Sequence, residues 1–211
     1  VKCKGTGEVL PRDKAHLNYS CEFTPELWDI DRPYLYKAVT KLYKNGELCD
    51  EYETKTGFRT YYADPDKGFF LNGRHVKIKG VCAHQDCGLT GKAVSDNVNR
   101  YKIGLIKEMG ANGYRTSHYP QNSAIMDALD EFGFIVMEET RWYDSTPEAK
   151  AQLEFMVKRD RNRPSVFFWS IGNEEPYHVK EQGANICRAL KAEIEKLDTS
   201  RIIMTAVSNS P

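Results

Sequence analysis

The segment Met156–Glu175, MVKRDRNRPSVFFWSIGNEE, constrains the fold of this 211-residue chain more than any other. It reads as the end of a helix, an Asn162-Arg163-Pro164 connection, and a near-continuous apolar strand from Val166 to Ile171. The strand stops at Gly172 and delivers Asn173, Glu174 and Glu175 at its C-terminal tip. Such a run needs cover on both faces, the situation of a parallel sheet flanked by helices. Carboxylates at the tip of such a strand contribute little to stability and are well placed for chemistry. Glu174 is therefore the candidate acid/base residue.

Residues 1–60 read as β-rich. Alternation runs through Leu17–Phe23 and again through Tyr34–Tyr43, and Asn45-Gly46 is a hairpin signal because both residues tolerate positive φ. With a further strand from Leu48 to Arg59, three or four antiparallel strands are expected, fewer than the seven or so of a complete sandwich. Turns at Asp64–Gly68 and Leu71–Arg74 lead into a different pattern. Val76–Val81 reads as a strand, and Ser95 as the cap of a helix with Val98, Tyr101, Leu105 and Met109 on one face and Gly110 at its end. A strand at Asn112–Ser117 follows, then a helix carrying Ile125, Leu129 and Phe132 to Gly133, and the strand Phe134–Glu138. Thr146-Pro147-Glu148 supplies a cap, a first-turn proline and an acidic first turn for the helix that leads into Val166. A last helix aligns Ile186, Leu190, Ile194 and Leu197 before the strand Ile202–Val207.

The second part thus reads as five parallel strands joined by helical crossovers, which fits either a doubly wound sheet or a (β/α) barrel. None of these strands is followed by a glycine-rich phosphate loop, which argues against nucleotide binding. A complete barrel takes about 250 residues, and from Arg74 onward the chain supplies about half of that. Thirty basic and thirty acidic residues cancel, so charge points neither to nucleic acid nor to an anionic membrane. No apolar run reaches a membrane span, and no signal peptide opens the chain, although both ends read as cuts through a larger protein, which leaves the compartment open. Six cysteines without CxxC or zinc spacing read as buried thiols rather than as a disulfide framework.

Polar residues recur at the strand tips: His84, Gln85 and Asp86; Arg115, Ser117, His118 and Tyr119; Glu138, Glu139, Arg141 and Trp142; then Asn173, Glu174 and Glu175. In a parallel barrel these tips meet at one rim, the place of the active site. A lone histidine is more often structural, but two that converge with a carboxylate and an asparagine favour function. Trp142 and Trp169 offer flat faces for a sugar, with core packing the stronger reading for Trp169 inside its strand. Arg159 and Asp160 fit either a solvated helix end or a pair within the fold. The spacing of His84, Asp86 and Glu138 matches no specific metal site.

Taken together, Leu27-Trp28, Pro33-Tyr34-Leu35-Tyr36, Gly57-Phe58-Arg59, Leu71-Asn72-Gly73, Lys79-Gly80-Val81, Arg115-Thr116-Ser117-His118-Tyr119-Pro120, Arg159–Ser165 and Trp169-Ser170-Ile171-Gly172-Asn173-Glu174 make the chain resemble glycoside hydrolase family 2, the group of β-galactosidases and β-glucuronidases. The resemblance covers nearly the whole chain. It implies a mixed fold, a partial immunoglobulin-like β-sandwich over residues 1–60 followed by the first half of a TIM (β/α)8 barrel over 61–211. It also implies that Glu174 is the general acid/base, that Asn173 contacts the sugar 2-hydroxyl, that His84 and His118 bind the sugar, and that Arg115 supports the motif. The expected substrate is a carbohydrate, a β-galactoside first and a β-glucuronide second, and a homo-oligomer is compatible with it. Where family β-galactosidases carry Asn-Arg-His after the first barrel strand, this chain has Cys82-Ala83-His84. Where some carry Glu-x-His magnesium ligands after the third, it has Tyr143 and Ser145, so no cofactor is expected with certainty and no metal ligand is assigned.

A retaining glycosidase needs one carboxylic acid to protonate the leaving oxygen and one carboxylate to attack the anomeric carbon. The acid must keep its proton at working pH, which burial and a neighbouring carboxylate favour. The family's nucleophile is a glutamate on the seventh strand, so the 211 residues alone are expected to be inactive and the full-length protein active. The rivals are a non-catalytic carbohydrate-binding or scaffold protein on the same fold and a small α/β binding protein, the latter requiring exposed sheet edges.

Overall fold

The computed structural model describes residues 2–10 and 12–208. The chain runs through β1 (Tyr36–Lys44), β2 (Glu47–Thr56), β3 (Tyr61–Asp64), β4 (Gly68–Leu71), β5 (Arg74–Val76), β6 (Gly80–Ala83), α1 (Asp96–Glu108), β7 (Gly113–Thr116), α2 (Ser123–Phe132), β8 (Ile135–Glu139), α3 (Pro147–Asp160), β9 (Val166–Asn173), α4 (Glu181–Glu195) and β10 (Ile202–Ala206). The last five strands form one sheet in the order β10-β9-β8-β7-β6, every neighbouring pair parallel. Spatial order is chain order, so all five C-terminal ends lie on one side.

Local chemistry sets these elements. The Thr146 hydroxyl accepts from the Ala149 amide and Pro147 opens α3, which satisfies one free N–H and needs none from the proline. Asn122 caps α2 in the same way, and Gly133 ends it at φ 73°. A Cβ on Gly133 would stand 2.4 Å from the Ile30 carbonyl oxygen, so the position needs glycine for space as well as for its left-handed backbone. Asn45 and Gly46, at φ 52° and 87°, turn the β1–β2 hairpin.

Two cores hold the sheet. One lies between strands and helices, with Leu129, Leu153, Met156, Trp169, Leu190 and Ile194 fully buried. The other closes the end where β8 and β9 begin: the antiparallel meander β3-β4-β5 places Phe69, Leu71 and Val76 with Trp28 and Ile30 against Ile135 and Phe167. The Trp28 indole N–H donates to the Asp130 carbonyl at 2.9 Å, which joins the segment before β1 to α2.

Several expectations need correction. Among the described residues before position 60, two antiparallel strands are present rather than three or four, and Leu17–Phe23 forms none, because alternation makes a strand only where a neighbour supplies the ladder. The strand expected at Val76–Val81 is two strands in different sheets, β5 and β6. The chain crosses between them at Lys77–Lys79, where the Asn112 amide donates to the Lys77 carbonyl and accepts from the Lys79 N–H. On α1 the buried residues are Asn99 and Ile103, while Val98, Tyr101, Leu105 and Met109 are exposed. None of the six cysteines is buried; all are free, and four of them are exposed. β9 does not stop at Gly172 but continues through Asn173.

Of the two readings of Arg159 and Asp160, the internal pair is the one found. Asp160 is fully buried and takes both Arg159 and Arg163, and Arg163 also reaches Asp127 and Asp130. Arg159 extends to Glu138 at 3.1 Å. Burial, reinforced by the nearby Asp160 charge, pushes the Glu138 carboxyl well above the usual carboxylate range.

In the turn between α4 and β10, Asp198 accepts from the Trp169 indole at 2.9 Å and from Arg201 at 2.7 Å. Burial opposes its ionisation, but hydrogen bonds from the Ser200 hydroxyl and amide, the Arg201 charge and the indole outweigh this and hold its carboxyl at about 2. A depressed folded-state value stabilises the fold above the unfolded carboxylate range, near 4, and that contribution is lost as pH falls toward 2. Asp198→Asn is therefore expected to flatten the acid limb of the stability curve between about pH 4 and 2. Denaturation midpoints measured across that window check this, and an unchanged slope would refute it.

Candidate active site

Side chains alternate across a strand, so the adjacent Glu138 and Glu139 at the end of β8 face opposite ways. Glu138 turns to Arg159 and the helices, and Glu139 to the face shared with Arg115 of β7 and Asn173 of β9. Glu139 is fully buried and receives four hydrogen bonds. Arg115 donates Nε and Nη2 to its Oε2 at 2.9 and 2.6 Å, and the Ser170 hydroxyl donates to the same oxygen at 2.7 Å. His118 Nδ1 stands 2.7 Å from Oε1, the geometry of an N–H donated to the carboxylate. The backbone N–H of Glu139 donates to the Thr116 hydroxyl at 2.8 Å, which fixes the strand tip.

Arg115 Nη2 also donates to Asn173 Oδ1 at 2.6 Å. Burial of Arg115 works against its charge, and Glu139 more than offsets this, so the guanidinium is held charged more firmly than usual. A charged, planar donor with a fixed carboxylate behind it orients the Asn173 amide in one way only. Three of the sequence-nominated residues, Arg115, His118 and Asn173, are thus brought together by one buried carboxylate.

His84 stands at the edge of this cluster, its ring 5.6 Å from that of His118 in an edge-to-face arrangement. The Tyr119 hydroxyl lies 3.5 Å from His84 Nδ1, and Lys102 donates to the Asp86 carbonyl at 2.7 Å, tying the loop after β6 to α1. Glu174 follows Asn173 with φ 50°, a left-handed backbone unusual for a residue with a side chain, and its N–H donates to the Ala206 carbonyl at 2.9 Å. Residues held in such conformations concentrate at functional sites. The Glu174 side chain is exposed, so the burial expected around an acid residue is not found in the described residues. Trp169 is fully buried, with its indole on Asp198, and serves the core; Trp142 is exposed at the rim.

Residues at the positions of the family's magnesium ligands do not fit that ion. Tyr143 is buried and donates its hydroxyl to the Gly183 carbonyl at 2.7 Å, and Ser145 brings neither carboxylate nor imidazole. The parts not nominated from sequence are the anchoring role of Glu139 and the presence of Ser170. A serine inside an otherwise apolar strand is the available signal: two residues beyond Phe168, Ser170 shares a face with Phe168 and Gly172 rather than with the core-facing Trp169.

Comparison with known proteins covers most of the chain. The family profile "Glycosyl hydrolases family 2, TIM barrel domain" matches residues 64–150 and 142–210, and "Glycosyl hydrolases family 2" matches 6–59. A relative named beta-galactosidase BoGH2A, from Bacteroides ovatus, is 42% identical over 194 residues, 85% of this chain and 22% of its own length. A beta-glucuronidase of Bacteroides fragilis is 34% identical over 176 residues, 76% of this chain and 25% of its own. The crystal structure of a glycosyl hydrolase family 2 member from Bacteroides cellulosilyticus DSM 14838 superposes with a TM-score of 0.82 at 39% identity, covering 89% of this chain and 26% of that one. The chain thus spans about a quarter of the length of these relatives.

Proposed function

The chain belongs to glycosyl hydrolase family 2, and from that premise we propose that the full-length protein hydrolyses the O-glycosidic bond of β-glycosides by a retaining double displacement. The observation that carries this reading is the hydrogen-bonded set Asn173–Arg115–Glu139–His118 at the sheet rim, directly beside Glu174. In it Glu174 protonates the leaving oxygen and later takes a proton from water, Asn173 holds the sugar 2-hydroxyl, and His118 and His84 bind further hydroxyls. Arg115 and Glu139 position these groups rather than react. The parallel sheet is read as the first half of a (β/α)8 barrel and residues 1–60 as the end of an immunoglobulin-like domain, a division supported by the two profile matches on either side of residue 60.

The substrate proposed first is a β-galactoside, supported by the relative named beta-galactosidase at 42% identity. The second is a β-glucuronide, supported by the relatives and neighbouring structures that carry that name. The 211 residues alone are proposed to be inactive, because Glu139, the carboxylate inside the cluster, is saturated by Arg115, Ser170 and His118 and is not free to attack. Kinetics of the full-length protein on aryl β-galactoside and aryl β-glucuronide, beside the isolated chain, test all three statements. The expected result is a preference of about tenfold or more for the galactoside and no turnover by the isolated chain. Inertness of the full-length protein toward both sugars would favour a carbohydrate-binding role, and turnover by the isolated chain would refute its inactivity.

A further inference from the structure

Two of the exposed cysteines, Cys3 and Cys21, face each other across the segments that precede β1. The Cys3 thiol hydrogen-bonds with Cys21 and lies 3.8 Å from the Ser20 carbonyl oxygen. A Cβ on Gly5 would fall inside the Tyr19 ring, and one on Gly7 would stand 2.7 Å from Leu17 Cδ2. The partners of residues 3, 5 and 7 are therefore 21, 19 and 17, a step of two on each side from one pair to the next. Side chains alternate along extended backbone, so one face of residues 3–7 lies antiparallel against one face of residues 17–21. Glycine at positions 5 and 7 leaves room for Tyr19 and Leu17 to reach across, which lets the two segments approach closely. Between them the Asp13 N–H donates to the Leu10 carbonyl at 3.0 Å, and Arg12 takes a left-handed φ of 66°.

Residues directly opposed across antiparallel segments have Cα atoms about 4.5–5.5 Å apart, inside the range that a disulfide spans. We propose that Cys3 and Cys21 are a redox pair that closes to a disulfide by exchange with a small-molecule disulfide of the glutathione class. One protein thiolate attacks a sulfur of glutathione disulfide, the S–S bond breaks, and a mixed disulfide forms as one glutathione thiolate leaves. The second protein thiolate attacks the protein-side sulfur of the mixed disulfide and expels the second glutathione. The two cysteines give up two electrons, glutathione disulfide takes them, and the two thiol protons end on the two glutathiones. Both thiols are exposed, so the exchange needs no opening of the core. Among the described residues no group of three or more His, Cys, Asp or Glu is placed to hold a metal, so the pair suits exchange rather than coordination. The inference does not depend on the glycosidase reading.

The test incubates the reduced, folded full-length protein with glutathione disulfide, alkylates the remaining thiols, and digests with trypsin, which separates the two cysteines at Lys4, Arg12 and Lys14. The expected product joins the Cys3 and Cys21 peptides, is two hydrogens lighter than the separate pair, and carries no glutathione. It should form about tenfold faster in the folded protein than in denaturant, where only a flexible loop brings the thiols together, at roughly millimolar effective concentration. In Cys3→Ser the reaction should stop at a glutathione adduct on Cys21, because the thiol that expels it is gone. The wild-type comparison needs no substitution, so the folding of the variant does not decide the outcome. Alkylation of both cysteines, a glutathione adduct that persists on either in the wild type, a bond from either to another cysteine, or equal rates in folded and denatured protein each overturn the pair.

Discussion

Glu174→Gln in the full-length protein is expected to lower kcat/KM on a glycoside with an alkyl or sugar leaving group by about 10²–10⁴-fold, the usual contribution of a general acid. The same change should cost far less on a dinitrophenyl glycoside, because that leaving group departs without a proton. Gln cannot titrate, so the alkaline limb of the pH–rate profile should vanish while the acidic limb remains. Stability should stay within about 0.5 kcal/mol, because the side chain is exposed and its backbone bond to Ala206 does not depend on the carboxylate. Equal losses on both leaving groups, or a retained alkaline limb, would assign the proton to another residue. The left-handed backbone at Glu174 bears on this outcome, since it breaks the strand alternation after Asn173 and leaves Glu174 exposed beside the cluster that Arg115 gathers.

How much of this arrangement is legible in the sequence depends on the kind of signal. The run from Val166 to Ile171 identifies β9 and its double cover because burial on both faces needs apolar residues at nearly every position. Thr146-Pro147 and Asn45-Gly46 act through the backbone next to them and read correctly for the same reason. Facing is harder to read. On α1 two stripes compete at helical spacing, and the one with Val98, Tyr101, Leu105 and Met109 is the more apolar. Packing against α2 and the sheet nevertheless buries Asn99 and Ile103, with the Lys107 ammonium reaching the Ile30 and Gly133 carbonyls. Period-two alternation states that Glu138 and Glu139 diverge but not which of them faces the site. That is decided by the register of β8 on its neighbours, which sets Glu139 level with Ser170 and leaves Glu138 level with Trp169. Sequence therefore nominates the rim residues, while the carboxylate that gathers them emerges only with the register.

Glu139→Gln follows from that register and has the second large effect. The substitution keeps the side-chain shape and removes the charge that balances Arg115, whose side chain is only 16% exposed. Breaking a buried ion pair by neutralising one member costs about 3–5 kcal/mol when the other stays charged and desolvated. Arg115 retains some contact with water and its bond to Asn173, so about 3 kcal/mol is the expected loss in denaturant unfolding of the full-length protein. Turnover should fall as well, but in a pattern unlike that of Glu174→Gln. Asn173 and His118 lose the group that orients them, so KM should rise and the loss should be similar for good and poor leaving groups, with both limbs of the pH–rate profile kept. A merely structural glutamate would change stability and leave KM alone, and an acid/base glutamate would spare the dinitrophenyl substrate. If Glu139→Gln does either, Glu139 is not the residue that positions the sugar-binding groups. Two adjacent carboxylates of β8 and one at the tip of β9 then separate by experiment as they do by geometry: Glu138 turned to the helices, Glu139 holding the cluster, and Glu174 free at the rim.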